Sequence, residues 1–263
     1  MEKGVPIRAI SRGISVLQAI NRGHSLTMME ISKTSRVPYP TACRIVQTLL
    51  LEGMIEREPA RKRYRATALV QSLASGFQDD EQIVAVARPH IVALCERMLW
   101  PISLTSRVGP HMMVRDSTHT MTSLTLANYY PGFTLPLMEC STGQVYMAHC
   151  SDGERETLLD GLRQIDGSAE RMAALLLAND TLLKQIRAQG YATFARNRYT
   201  DTPGKTSSIA VPIFKGDQVA GAVALIFFAV AMSMEKAVAQ FAEPLMATAA
   251  AISAELAARP APD

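Results

Sequence analysis

Apolar residues near the start of the chain (Ile10, Ile14, Leu17, Ala19, Ile20) recur at near-helical spacing and stop at Asn21 to Gly23, which predicts a helix ending there. Thr27 and Glu30 have capping-box spacing, so a second, short helix is predicted through Ile31, broken between Thr34 and Pro38. Tyr39 precedes a proline and resists helical geometry, whereas Pro40 suits a first helical turn. A third helix is therefore predicted from this point to Gly53. Within it Ala42, Ile45, Val46, Leu49 and Leu50 share one face, Pro40, Arg44 and Gln47 point the other way, and Thr41 lies on the border. Two β-type stretches, Met54 to Arg57 and Arg63 to Ala66, joined by Glu58 to Lys62, read as a wing.

Beyond the wing the pattern changes. Thr67 to Phe77 is predicted as a linking helix, and Asp79 to Leu99 as a long helix with Ile83, Val86, Ala87, Ile91, Leu94, Cys95 and Met98 on its apolar face. Strand-like runs follow at 102–108, 112–116, 192–196, 208–214 and 219–228. Helices are predicted near Gly143 to His149, Glu154 to Leu162, Ala169 to Gln189 and Met234 to Leu256.

Charge separates the same two regions. Residues 1–66 carry 12 Lys/Arg against 5 Asp/Glu, a net of +7, and the other 197 carry 15 against 19, a net of −4. Positive charge gathered in one small helical module suggests a polyanion-binding head on a separate body. With 263 residues and 48% hydrophobic content, the chain has material for two cores. The first ten residues hold no apolar leader, and the longest near-apolar run, Val219 to Met232, is short for a membrane span. The expectation is a soluble, cytoplasmic protein with no membrane partner. Cys43, Cys95, Cys140 and Cys150 form no C-x-x-C pair, which fits reduced thiols and predicts neither a metal site nor a cofactor.

The outer face of the third helix has the chemistry of a DNA reader. Tyr39, Pro40 and Thr41 stand at its N-terminus, where a hydroxyl and free backbone N–H groups bond phosphate oxygens. Arg44 matches the two acceptors of guanine, and Gln47 the acceptor and donor of adenine, so both can read base edges in the major groove. Arg61, Lys62 and Arg63, with Tyr64 beside them, form a wing tip suited to the phosphate backbone or an adjacent minor groove. The bland alternative is a solvated basic hairpin on an ordinary three-helix bundle. Helix, turn, helix and wing in this order argue against it.

These residues also carry a resemblance. Leu26-Thr27, Glu30-Ile31, Val37-Pro38, Thr41, Arg44, Leu49, Gly53 to Arg57 and Tyr64-Arg65 resemble the IclR family of bacterial transcriptional regulators. Leu135-Pro136-Leu137, Ser141-Thr142-Gly143 and Ala148 resemble that family's effector-domain loop and following helix, and Gly190-Tyr191-Ala192 with Ser208 to Ile213 its later strand pair. Gly76-Phe77, Trp100-Pro101, Met113-Val114-Arg115 and Ala231 to Met234 are similar to the branch that activates hydroxyphenylpropionate catabolism. The resemblance implies an α+β protein in three parts. These are a winged helix-turn-helix domain at 1–66, a linker helix at 67–78, and a GAF-like antiparallel-sheet domain for effector binding and oligomerisation at 79–263.

It further implies a ligand cavity between the Pro136 to Gly143 loop and the two late strands, with Pro136, Met138, Ser141, Thr142, Gly143, Ser208, Ala224 and Ile226 as lining candidates. Ala224 and Ile226 stand where family members that bind small polar acids show hydroxyl residues, and Ser208 where a cysteine is usual. This disfavours glyoxylate and favours an aromatic carboxylic acid. Burying a ring yields several kcal/mol at about 25 cal/mol per Å², while the carboxylate needs charged or N–H partners. Backbone N–H groups at Ser141 to Gly143, or the side chains of Arg115 and His111, are candidates. The Met-rich set Met112, Met113, Met121, Met138 and Met147 reads either as an adaptable lining or, by default, as core filler. The expected partners are double-stranded promoter DNA, an aromatic acid effector, RNA polymerase, and further copies in a homodimer or dimer of dimers.

The rival reading is a small-molecule-binding or hydrolytic enzyme of GAF-like fold with an accessory basic head. The chain has no G-x-S-x-G, H-E-x-x-H or G-x-G-x-x-G, and Cys140 with His149 is its conceivable nucleophile and base.

Overall fold

A computed structural model describes residues 7–59, 61–74, 81–125, 129–163, 180–200 and 202–259. The chain divides into two compact units, Met1–Asp79 and Asp80–Asp263.

In the first unit, α1 (Arg8–Gly23), α2 (Met28–Ser35) and α3 (Tyr39–Leu51) pack beside a small sheet of β1 (Leu26–Thr27), β2 (Ile55–Arg57) and β3 (Arg63–Ala66), ordered β1-β3-β2. The capping box is present: the Glu30 N–H donates to the Thr27 hydroxyl at 3.3 Å, and the Thr27 N–H donates to the Glu30 carboxylate at 2.7 Å. Helix α3 ends where Gly53 takes a φ of +69°, with the Gly53 N–H on the Leu50 carbonyl and the Met54 N–H on the Leu49 carbonyl. This double closure needs a left-handed residue, which glycine adopts without a Cβ penalty. Val16, Ile20, Ile31, Val37, Ala42, Val46 and Ile55 form the core. The β1 strand is absent from the sequence expectation, because two residues give no readable period.

The link after the wing differs from the expected Thr67 to Phe77 α-helix. Residues Ala68–Ala74 form a 3₁₀ helix, and Leu69 and Leu73 stand 45% and 65% exposed. Without an apolar face to bury, the segment gains no packing that would hold an α-helix. The remainder of that prediction, with Gly76 and Phe77, lies outside the described residues.

The second unit is a six-stranded antiparallel sheet ordered β6-β5-β4-β9-β8-β7. Its strands are β4 (Ile102–Val108), β5 (His111–Ser117), β6 (Thr134–Pro136), β7 (Ala192–Phe194), β8 (Thr206–Lys215) and β9 (Gln218–Phe228). Helices α4 (Glu81–Met98) and α8 (Met234–Ala258) cover one face. The other carries α5 (Ser141–His149), α6 (Asp152–Arg163) and α7 (Asp180–Gln189). Strand alternation sorts the two cores: Val223, Leu225 and Phe227 of β9 face α4 and α8, whereas Ala222, Ala224 and Ile226 face α5. Burial on both faces explains why β9 reads as an unbroken apolar run. Two features escaped the sequence: the short strand β6, and a 3₁₀ turn at Leu137–Glu139. Strand β7 stops short of the expected Arg196, whose φ of +51° leaves extended geometry. Of the helix expected from Ala169 to Gln189, the part before Asp180 lies outside the described residues.

Candidate functional site

Two surfaces concentrate the chemistry, one in each unit. On α3, Tyr39, Pro40, Arg44 and Gln47 are exposed and Thr41 is half-buried, while Ala42 and Val46 on the inner face are buried. Pro38 at the N-cap offers no side-chain bond. The first-turn N–H groups of α3 therefore have no side-chain cap, which suits an anion.

The wing tip is narrower than the sequence suggests. Arg61 and Lys62 are exposed, but Arg63 turns back on its own module. Its guanidinium donates to the Ser25 carbonyl at 2.8 Å and to Glu30 at 3.0 Å, because β1 pairing sets Arg63 opposite Thr27, beside the capping box. Backbone and side-chain bonds from Thr27, then Arg63, hold the Glu30 carboxyl below its ordinary value. Tyr64 packs against the core. Arg63 and Tyr64 thus form the base of the wing, and the outward cations are Arg61 and Lys62.

In the second unit a narrow cavity lies between α5 and the sheet. It is lined by Ser103 and Thr105 of β4, Val114 of β5, Leu135 of β6, Ser208 of β8, and Ala224 and Ile226 of β9. Cys140, Ser141 and Thr142 at the start of α5, with Tyr129 and Asn197 from loops, complete it. Its free volume is about 20 Å³, room for one water. Ser141 and Ser208 close on each other across it, their hydroxyls 2.8 Å apart. Gly143 allows α5 to approach this closely, since a Cβ there would lie 1.6 Å from the Leu137 carbonyl oxygen. Cys140 caps the helix by accepting from the Gly143 N–H at 3.3 Å.

Electrostatics in the cavity favour neutral donors. Burial pushes the Cys140 thiol up to about 11 and the Tyr129 phenol up to about 12, so both stay protonated at neutral pH. Among the described residues the lining holds no lysine, arginine or histidine. The Asn197 amide oxygen accepts from the Tyr199 N–H at 2.8 Å, which fixes the amide's orientation.

The sequence placed Ser141, Thr142, Ser208, Ala224 and Ile226 in the candidate site, and the cavity brings these five together. Pro136, Met138, Gly143, His111 and Arg115 do not line it. On β5, Met112 and Val114 point toward the α5 side, so alternation turns the exposed His111 away. Arg115 is the extra residue of a bulge, where Leu104 pairs with Asp116 and Thr105 with Val114. Met138 packs into the core instead of the cavity, as do Met112 and Met147, in keeping with the filler reading. As lining residues, the sequence missed Ser103, Thr105, Val114, Tyr129, Leu135, Cys140 and Asn197. Hydroxyls alternating with Ile102 and Leu104 on β4 were the available signal for the first two.

The conceivable Cys140 and His149 pair is separated by the structure. The two residues sit at opposite ends of α5, roughly 13 Å apart along its axis. Burial, then Arg187, lowers the His149 pKa, and its ring meets the edge of Phe214.

A winged helix-turn-helix head followed by a sheet-based unit with an interior cavity is the architecture of a DNA-binding regulator with a ligand-binding domain. The family model of the bacterial transcriptional regulator IclR C-terminal domain matches residues 77–254, and that of the MarR family matches residues 14–66. The chain belongs to the IclR family, and it is a DNA-binding transcriptional regulator with a ligand-binding C-terminal domain. It is 27% identical over 221 residues to the HTH-type transcriptional regulator BhcR of Paracoccus denitrificans, spanning 82% of this chain and 76% of that protein. To the regulator TsaQ1/TsaQ2 of Comamonas testosteroni it is 21% identical over 60% of this chain, and it spans 57% of that protein's length. Among solved structures, an IclR homolog complexed with 4-hydroxybenzoate from Microbacterium hydrocarbonoxydans aligns with a TM-score of 0.65. That likeness has 23% identity and covers 95% of this chain and all (100%) of the other. The first two of these relatives are transcriptional regulators.

Proposed function

We propose that the effector of this regulator is an aromatic carboxylic acid of the hydroxyphenylpropionate type, and that its uptake changes how the DNA-binding heads engage promoter DNA. The observation that carries this reading is the composition of the cavity wall. Ala224, Ile226, Val114 and Leu135 form an apolar surface that suits a ring, and Ser141, Thr142, Ser208 and Asn197 supply neutral hydrogen-bonding groups around it. With no cationic side chain in the described lining, the carboxylate partners with first-turn N–H groups of α5, where the helix dipole favours an anion. The bound 4-hydroxybenzoate of the Microbacterium relative supports a ligand of this class.

The small volume makes binding and rearrangement one event. A cavity of about 150 Å³ accommodates benzene, so the effector must part the Ser141–Ser208 contact and shift the start of α5. A ligand that binds only the opened form draws the population toward it. DNA recognition uses Tyr39, Thr41, Arg44 and Gln47 on α3 with Arg61 and Lys62 on the wing. Two copies of the chain set these helices on successive half-sites one DNA turn apart.

Thermal unfolding with hydroxylated phenylpropionates, benzoates and cinnamates tests the assignment. An acid at a hundred times its Kd adds about 2.7 kcal/mol to the folded state. Stabilisation by glyoxylate, with none by any aromatic acid, overturns it.

A further inference from the structure

The described lining of the cavity carries no cation, but a cation stands at its rim. The segment between β7 and β8 crosses to the turn before α5, where the Arg198 guanidinium meets one Glu139 carboxylate oxygen at 3.3 Å and the Tyr199 hydroxyl donates to the other. The neighbours of these residues in the chain, Asn197 on one side and Cys140 on the other, both line the cavity. The contact therefore ties together two of the walls that an entering effector must part. Asn197 anchors the segment, its N–H donating to the Thr206 carbonyl at 2.8 Å and its carbonyl accepting from the Gly204 N–H at 2.8 Å.

Resting on the reading of an aromatic acid in this cavity, we propose that Arg198 selects for the effector's carboxylate, joining the first-turn N–H groups of α5 as its charged partner. The two halves of the ion pair are unequal: the Glu139 side chain is 6% exposed and that of Arg198 68%. A buried carboxylate thus grips one edge of a guanidinium that the Tyr199 ring backs at 5.8 Å, and most of the arginine is left in solvent. A guanidinium carries five N–H donors in a rigid fork, more than one carboxylate uses, so Arg198 can hold Glu139 and a second carboxylate together. Pinning by Glu139 and Tyr199 makes them positioning residues, which reduce the freedom that Arg198 loses on meeting an acid. Thr200, on the same segment, is buried with a hydroxyl that meets no hydrogen-bond partner among the described residues, so the rim also holds an unmet polar group. Charge-assisted bonds are roughly twice as strong as neutral ones. Arg198 accordingly separates an acid from a neutral molecule of the same shape, which the apolar wall does not.

The test titrates the full-length chain with a hydroxyphenylpropionate and with its primary amide, in wild type, Arg198→Gln and Arg198→Ala. Wild type should bind the acid more tightly than the amide. Both variants should lose at least about tenfold in affinity for the acid while their affinity for the amide changes little, so the preference collapses. Retained amide binding shows that the loss is not unfolding, as expected for so exposed a cation. Equal losses for acid and amide, or variants that keep the wild-type preference, overturn the proposal. Failure of the aromatic-acid reading looks different: wild type then binds neither compound, and the proposal falls with it.

Discussion

On α3 the outward side chains of Arg44 and Gln47 lie in solvent, while the cavity residues Ser141 and Ser208 are closed on each other at 2.8 Å. The proposed DNA-reading surface is complete once one helix is formed. The cavity requires five strands, the start of α5 and two loops, and its free volume is about 20 Å³. A surface site can therefore change its chemistry without disturbing the fold, whereas the interior site is inseparable from the packing that makes it.

That contrast is most easily broken with one methyl group. Gly143→Ala places a Cβ against the Leu137 carbonyl and should cost about 3 kcal/mol or more, read as a lower urea midpoint for unfolding. Arg44→Ala, at an exposed position, should leave that midpoint unchanged and cost roughly 1 to 3 kcal/mol of discrimination at one base pair. A footprint identical to wild type would remove Arg44 from base reading.

Salt sharpens the surface side. Replacing Arg61 and Lys62 by alanine should reduce the slope of log affinity against log salt by about one for each lost phosphate contact. Arg63→Ala should instead lower stability, since its guanidinium holds Ser25 and Glu30.

Acid separates the two units by a smaller margin. Burial lowers the pKa of His119 and His149 below the unfolded value, so their stabilising contribution is complete above about pH 6.5 and declines below it. Glu30 is lowered from 4.5, so its contribution in the head persists above that pH and is lost as pH falls through its folded value. Hydrogen exchange at pH 7, 6 and 5 should show the C-terminal unit loosening first, and the reverse order would contradict this assignment.

The same contrast explains what was legible in the sequence. Helix periodicity and the Thr27–Glu30 cap are local, so α1, α2, α3 and the wing were legible, with Pro40, Arg44 and Gln47 on the exposed face of α3. Arg63 was misjudged because its partners, Ser25 and Glu30, lie more than 30 residues away. In the second unit the strands were visible from their apolar runs, and Ala224 and Ile226 share the α5 side because they are two residues apart on one strand. His111 and Arg115 could not be placed, because strand facing depends on register and one bulge on β5 resets it. Volume was hidden as well. Ala224→Phe, a natural blocking substitution for an open pocket, is too large for a space of about 20 Å³, and Ala224→Leu is the better probe.

The central claim is that an aromatic acid entering the α5 cavity alters promoter binding by the head. Its most direct measurement is promoter affinity of the full-length chain titrated with a hydroxyphenylpropionate, alongside the melting temperature, in wild type and Ala224→Leu. The account predicts that the acid changes both quantities in wild type and neither in the variant. A wild-type protein indifferent to hydroxyphenylpropionates, benzoates and cinnamates, or a variant that responds as fully as wild type, would contradict it.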